Sequence, residues 1–186
     1  MVEIDIENIV GTFHIAPSLD LPMLARVLSD ATYNPSDLPA VVVTFKKPKA
    51  VCMLFSEGKI IITGVKSMAE IDEVIHMLND RLSVLGIKGE VTPSVSIQNM
   101  VASMDYQQSL NLRSIAKAFP NTEYEPLQFP GLVYKTDDPN TVILVFDSGK
   151  VVCNGSTSEA ILTAMDRMIE QFVSIGIRKE ENVCPK

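Results

Sequence analysis

The sequence has few of the residues on which enzymes, metal sites and disulfide frameworks depend. Its three cysteines are an odd number spread over 186 residues, too far apart for a disulfide framework or a clustered zinc site. It contains neither a Gly-x-Ser-x-Gly motif nor a glycine loop that would cradle phosphate. We therefore expect no enzymatic activity, no cofactor and no metal ion.

Long apolar runs and an excess of basic residues are also missing. No run approaches the roughly 20 apolar residues of a membrane-spanning helix, and residues 1–5 lack the basic start of a signal peptide. We expect a protein without membrane contact that stays in the cytoplasm, or in the nucleus if its source is a eukaryote. Lys and Arg total 16 against 23 Asp and Glu, a net charge of −7. Taken alone, this balance argues against a nucleic-acid partner.

What the sequence does have is an internal repeat. Residues 6–10 recur as residues 97–101 at an offset of 91, and residues 54–59 recur as residues 145–150. Near the end the offset falls to 90, which suggests that the last helix has lost one residue. The period is too long for a solenoid. We predict two tandem units, residues 1–91 and 92–186, related by a pseudo-twofold axis.

Each unit is predicted to be a strand, a helix, three strands and a long helix, which is an α+β fold with an antiparallel sheet. Alternating hydrophobicity indicates strands, and an apolar stripe at helical period indicates each helix. The spacing of Ser67 and Glu70 is that of a capping box at the start of the long helix. In the first unit the predicted elements are a strand at 2–12, a helix at 20–30, strands near 38–46, 50–56 and 59–65, and a helix from residue 67.

Several predicted strands are apolar on both faces. Residues 51–55, 60–62 and 142–146 do not alternate, although an antiparallel sheet with one wet face should. Two helices per unit cover only one face. Either the two units pack sheet on sheet, or a broad apolar face is left for a partner.

Two asparagines at equivalent positions bear on this choice. Asn8 and Asn99 each interrupt an apolar row of a predicted first strand. A buried amide without partners is costly, so each is either bonded to a neighbouring strand or bound to a ligand. A pair related by a pseudo-twofold suggests a ligand with twofold character, such as duplex DNA.

At this point the motifs identify a family. The segments 97–101, 124–126, 129–134 and 146–152, with their first-half counterparts, resemble the conserved core of the TATA-box-binding protein family over nearly the whole chain. The short N-terminus and acidic composition resemble the archaeal versions. The resemblance implies a curved antiparallel sheet shaped as a saddle, with helices on its convex side. It implies a general transcription initiation factor that binds and bends TATA-box DNA through the minor groove.

The resemblance also implies which residues bind DNA. Two aromatic pairs would act as wedges that bend the duplex, although Leu38 replaces one phenylalanine and predicts a softer kink at that end. Asn154 stands where the family usually has Thr, so that contact is expected to differ. For each phenylalanine the alternative is ordinary core packing. The DNA-binding set is Asn8, Val10, Leu38, Phe55, Ile61, Thr63, Asn99, Val101, Phe129, Leu144, Phe146, Val152 and Asn154.

The resemblance further implies which residues contact phosphates and protein partners. The lysines expected to contact phosphate are Lys46, Lys49, Lys59, Lys135 and Lys150, each of which could instead be an ordinary solvated residue. The family binds transcription factor B through a stretch that matches Glu125, Leu127 and Gln128, where Leu127 and Gln128 depart from the usual residues. RNA polymerase would join that assembly. We expect a monomer on DNA and a possible dimer when the protein is free.

Two other classes of function remain open. Tandem α+β units also form small-molecule regulatory domains and enzymes, but the two histidines, His14 and His76, correspond to Asp105 and Arg167 and so form no repeated site. The other alternative is a divergent paralogue that mainly binds proteins and binds DNA weakly. The net charge does not decide against DNA, because the acidic residues fall largely on the predicted helices and termini.

Overall fold

The computed structural model describes residues 4–15, 18–87 and 94–177. This part of the chain contains ten strands and four helices, which follow the same order in each half. The strands are β1 (Asp5–His14), β2 (Ala31–Tyr33), β3 (Ala40–Lys46), β4 (Lys49–Phe55), β5 (Lys59–Val65), β6 (Ser96–Asp105), β7 (Thr122–Glu123), β8 (Leu132–Lys135), β9 (Val142–Val145) and β10 (Lys150–Gly155). The helices are α1 (Leu21–Val27), α2 (Met68–Val84), α3 (Leu112–Ala118) and α4 (Ser158–Ser174).

The strands form an antiparallel sheet in the order β2-β3-β4-β5-β1-β6-β10-β9-β8-β7. The chain divides into two compact units, of which the first comprises Asn8–Asn99 and the second comprises Met1–Glu7 with Met100–Lys186. Strands β1 and β6 therefore each contribute residues to both units. The predicted α+β repeat with an antiparallel sheet is confirmed. Among the described helices, none is long and apolar enough to cross a membrane.

Each unit has its core between the sheet and the helices. In α2 the buried residues are Ile71, Val74, Ile75, Leu78 and Leu82, which is the predicted apolar stripe. In α4 the side chains of Ile161, Met165, Met168 and Phe172 are fully buried. In each unit the long helix thus covers one face of the strands, as expected from its 3.6-residue period.

Three details of the predicted elements were wrong. Helix α1 spans only Leu21–Val27, because Asp20 caps its start and Leu28 already has an extended conformation. The short strands β2 and β7 were not predicted. Both long helices have 17 residues, and their caps, Ser67 and Thr157, are 90 residues apart. The residue missing from the second repeat is therefore lost in the turn before α4 and not in the helix.

Buried cysteines occupy exchanged places in the two cores. Cys52 on β4 is the cross-strand partner of Ile62 on β5, whereas Cys153 on β10 is the partner of Ile143 on β9. Each unit therefore holds one Cys and one Ile in the same pair of positions, which conserves the volume of the core. Burial raises the pKa of both thiols to about 12, so they remain uncharged core side chains.

Candidate nucleic-acid interface

The sheet face opposite the helices carries a half-exposed apolar surface in each unit. In the first unit, Val42, Met53 and Ile61 lie side by side on neighbouring strands. These positions alternate with fully buried ones along each strand, so the half-exposed side chains all point away from the helices. The equivalent row of the second unit is Val133, Leu144 and Val152. The described strands all belong to a single ten-stranded sheet.

A second row of the same face is more polar. It consists of Thr44, Val51 and Thr63 in the first unit and of Lys135, Val142 and Asn154 in the second. Sequence reasoning named only some of this face. The members it missed are Val42, Thr44, Val51, Met53, Val133 and Val142, which stand in cross-strand register with the predicted residues and follow from register once the hairpins are placed.

Asn8 is held by the neighbouring strand β5. Its Oδ1 accepts a hydrogen bond from the backbone N–H of Gly64 at 2.7 Å, and its amide lies 3.2–3.3 Å from Thr63 Oγ1. Gly64 has φ of +92°, in the left-handed region that favours glycine, at an irregularity in the β1–β5 pairing. With its carbonyl oxygen bonded to Gly64 N and Thr63 Oγ1 and one N–H bonded to Thr63 Oγ1, Asn8 keeps its second N–H as an available donor. Bonding to the neighbouring strand and binding a ligand are therefore compatible roles for Asn8, since the strand contact orients the amide.

The other predicted polar residues are less constrained. Asn99 is half-exposed on β6, and Asn154 is exposed on β10 between Val101 and Val142. Neither side chain forms a hydrogen bond with another residue in the described part of the chain. Val10 is half-exposed on β1, beside the irregular pairing with β5. All of these residues lie on strands, away from the helices.

A pair of phenylalanines stands at one end of the second unit. The rings of Phe129 and Phe146 are 5.9 Å apart in an edge-to-face arrangement, and 38% of Phe129 is exposed. Gly131 makes this arrangement possible. A Cβ at that position would lie 2.7 Å from Phe129 Cε1 and 3.1 Å from Phe146 Cε1. Partly exposed aromatic rings next to the end of β9 argue against the core alternative for this pair.

The equivalent place in the first unit differs at two positions. Leu38 and Phe55 are both half-exposed, but Leu38 replaces an aromatic ring. Ala40, the counterpart of Gly131, is the cross-strand partner of Phe55 and is buried. Its methyl group occupies the space that the missing Cβ of Gly131 leaves open.

A lysine-rich hairpin flanks the apolar face of the first unit. Lys46 and Lys49 are direct cross-strand partners, Lys47 lies in the turn between them, and all three are exposed. Like charges placed opposite each other destabilise a hairpin, so this arrangement suits the binding of an anion. Lys59, at the start of β5, is opposite His14. None of the four lysines forms an ion pair with a described residue.

The second unit holds its lysines differently. Lys135 forms an ion pair with Glu123 on the short strand β7. Lys150 is exposed, but its cross-strand partner is Asp105, an acid at the place of His14. The two repeats therefore differ electrostatically, because acids neutralise or face both lysines of the second unit.

The candidate partner-binding turn, residues 125–129, is exposed to solvent. Gln128 and Phe129 both donate backbone hydrogen bonds to the carbonyl oxygen of Glu125, which closes a helical turn. Leu127 at its tip is completely exposed, with a relative exposure of 101%. Glu125 and Gln128 are exposed beside it. An apolar side chain held this far into solvent suits contact with another protein.

Cavities on the helix side differ in charge between the units. In the second unit a cavity of about 720 Å³ is lined partly by Asp137 and Asp138. In the first unit an equivalent cavity of about 710 Å³ is lined partly by Lys46, Lys47 and Arg81. Hydrogen bonding to Thr141 lowers the pKa of the Asp138 carboxyl, which keeps the second cavity acidic.

Comparisons with known proteins agree with this geometry. A family model described as "Transcription factor TFIID (or TATA-binding protein, TBP)" matches residues 3–85 and 94–175. The TATA-box-binding protein of Thermococcus sibiricus is 40% identical over 181 residues, which cover 97% of this chain and 98% of the relative. That of Methanosphaera stadtmanae is 39% identical and covers 96% and 98%. The solved structure "Methanococcus jannaschii TBP" aligns with a TM-score of 0.85 at 38% identity, over 93% of this chain and 99% of that one.

Proposed function

Because the chain belongs to the TATA-binding protein family of transcription factors, we propose that it recognises A/T-rich promoter DNA in the minor groove and bends it. One observation carries the proposal, namely the half-exposed apolar face whose amide at Asn8 is oriented to donate. A·T pairs offer the minor groove only acceptors, and G·C pairs add the guanine amino group as a donor. An apolar floor with donating amides therefore fits A·T pairs and excludes G·C pairs.

The wedge mechanism follows from the ends of the face. Apolar side chains inserted between base steps unstack them and kink the duplex, as is established for TATA-binding proteins. Phe129 and Phe146 would form the wedge of the second unit, and Leu38 and Phe55 that of the first. Ile61, Thr63, Val101, Leu144 and Val152 would then lie on base edges and sugars between the wedges.

Assembly of the transcription machinery is the second part of the proposal. On DNA the protein acts as a monomer that presents the turn at Glu125, Leu127 and Gln128 to transcription factor B. RNA polymerase joins through that factor. The exposed Leu127 supports this role, because an apolar tip gains free energy when a partner covers it.

Gel shift and end-labelled FRET on a TATA duplex and a G/C duplex test this function. We expect TATA binding to be at least about 100-fold tighter, with a shortened end-to-end distance that reports the bend. Added transcription factor B should give a slower ternary band. Equal affinity for both duplexes would contradict minor-groove recognition.

A divergent protein-binding paralogue is the second candidate, favoured by the acidic cavity beside Asp137 and Asp138 and by the altered docking residues. It predicts only weak DNA binding, without a preference for the TATA duplex over the G/C duplex. The gel shift therefore separates the two functions.

The first-unit wedge should be improvable by copying the second. Leu38→Phe alone places a ring against the methyl group of Ala40, whereas Leu38→Phe with Ala40→Gly reproduces the space beside Phe129. We expect the double variant to bend TATA DNA more than wild type, and the single variant to gain less. FRET bend angles at saturating protein measure both, and Ala40→Gly alone is the control. An unchanged bend in the double variant would mean that Leu38 does not limit the kink.

A further inference from the structure

Thr63 and Asn154 occupy equivalent positions of the two repeats but have different hydrogen-bonding states. Thr63 Oγ1 lies within 3.3 Å of the Asn8 amide, and Asn8 Oδ1 is occupied by Gly64 N. This corner of the first unit is a closed network in which the amide carbonyl is not available to accept from a ligand.

Asn154 has no such network. It is exposed on β10, flanked by Val101 and Val142 in cross-strand register, and its side chain bonds to no other described residue. An unfixed amide can turn either its two N–H donors or its carbonyl acceptor to a ligand. The second unit therefore offers an unbonded amide carbonyl at the position where the first offers only a hydroxyl oxygen that already accepts from the Asn8 amide.

We infer that Asn154 lets the second unit accept a G·C pair that the first unit rejects, so that a G·C pair fixes the orientation of the protein on its site. This inference rests on the proposed minor-groove function. A guanine amino group pressed against an apolar face without an acceptor loses its hydrogen bond to water, which is costly. The carbonyl of Asn154 restores that bond, whereas at an A·T pair its N–H end donates instead.

The orientation effect shapes the experiment. On a palindromic A/T site the protein can place its second unit on either half. When one half contains a single G·C pair, the protein should therefore bind in the orientation that places its second unit on that half. We expect an affinity within about threefold of the all-A/T site when the G·C pair falls under Asn154. Two G·C pairs at mirror positions leave no tolerant orientation and should weaken binding about 10- to 100-fold. Scanning each base pair of one half identifies the tolerated position.

Two variants make the test specific to Asn154. With Asn154→Val, which removes both the carbonyl acceptor and the N–H donors, even the single G·C pair should cost about 10- to 100-fold relative to the affinity of the same variant for the all-A/T site. Asn154→Asp keeps an acceptor but loses the donors, so it should reverse the preference at that pair from A·T to G·C.

The outcomes separate this inference from the function on which it rests. If Asn154→Val leaves the single-G·C scan unchanged while both proteins bind the A/T site, the role of Asn154 is wrong and minor-groove recognition stands. If wild type does not bind the A/T site at all, the proposed function is wrong and this inference falls with it.

Discussion

Replacing Phe146 with alanine is expected to lower affinity for TATA DNA about 10- to 100-fold and to reduce the bend, because each aromatic ring stacked on a base contributes about 1–3 kcal/mol. The ring is half-exposed and meets Phe129 edge to face, so its removal also leaves Phe129 without the neighbour that orients it. Competition gel shifts give the affinity, and FRET between the duplex ends gives the bend.

Phe119 supplies a matched control for this change. It is also half-buried in the second unit and also meets another aromatic ring, Phe172, at 6.0 Å, but it packs on the helix side. Phe119→Ala should lower the melting temperature at least as much as Phe146→Ala and leave DNA affinity unchanged. Equal losses of affinity in both variants would indicate that the Phe146 effect comes from destabilisation, and the wedge at this end would have to be abandoned.

Much of the fold could be predicted because the sequence contains the same structural unit twice. The offset of 91 between the repeats places equivalent strands on equivalent patterns, and the stripe through Ile71, Val74 and Leu78 has an unambiguous helical period. The short strands β2 and β7 could not be predicted, since three and two residues are too few to show a period. Because β7 was not predicted, the ion pair of Lys135 with Glu123, which lies on β7, could not be predicted either.

The candidate site was predictable as a set of positions but not as a set of hydrogen bonds. Cross-strand register depends on where β5 departs from regular pairing, near Gly64, and that irregularity is set by contacts far apart in sequence. The bond from Gly64 N to Asn8 therefore could not be read from either segment alone. The role of Gly131 was predictable only in part. The sequence repeat shows that its counterpart is Ala40, but the close approach of two aromatic rings to Gly131 is seen only in the structure.

Neutralising the lysine hairpin is expected to weaken binding strongly at moderate salt. The double variant Lys46→Gln/Lys49→Gln removes two charges that face each other across β3 and β4. Each lost phosphate contact should reduce the slope of log affinity against log salt by about 0.9, which amounts to roughly 60-fold in affinity at about 0.1 M salt for two contacts. Titrations at several salt concentrations measure both quantities.

The appropriate control removes the same charge from a surface that does not meet DNA. Arg113 and Lys117 are exposed on α3, and Arg113→Gln/Lys117→Gln makes the net charge of −7 more negative by the same two units. Any loss of affinity shared by both double variants is the repulsion of DNA by the whole acidic protein. The remainder belongs to the hairpin, and it should appear as a smaller salt slope only in the Lys46/Lys49 variant. Identical slopes in the two variants would place the phosphate contacts elsewhere. A difference of about two would explain how a protein with a net charge of −7 binds DNA, since the lysines beside its apolar face would then bind phosphates.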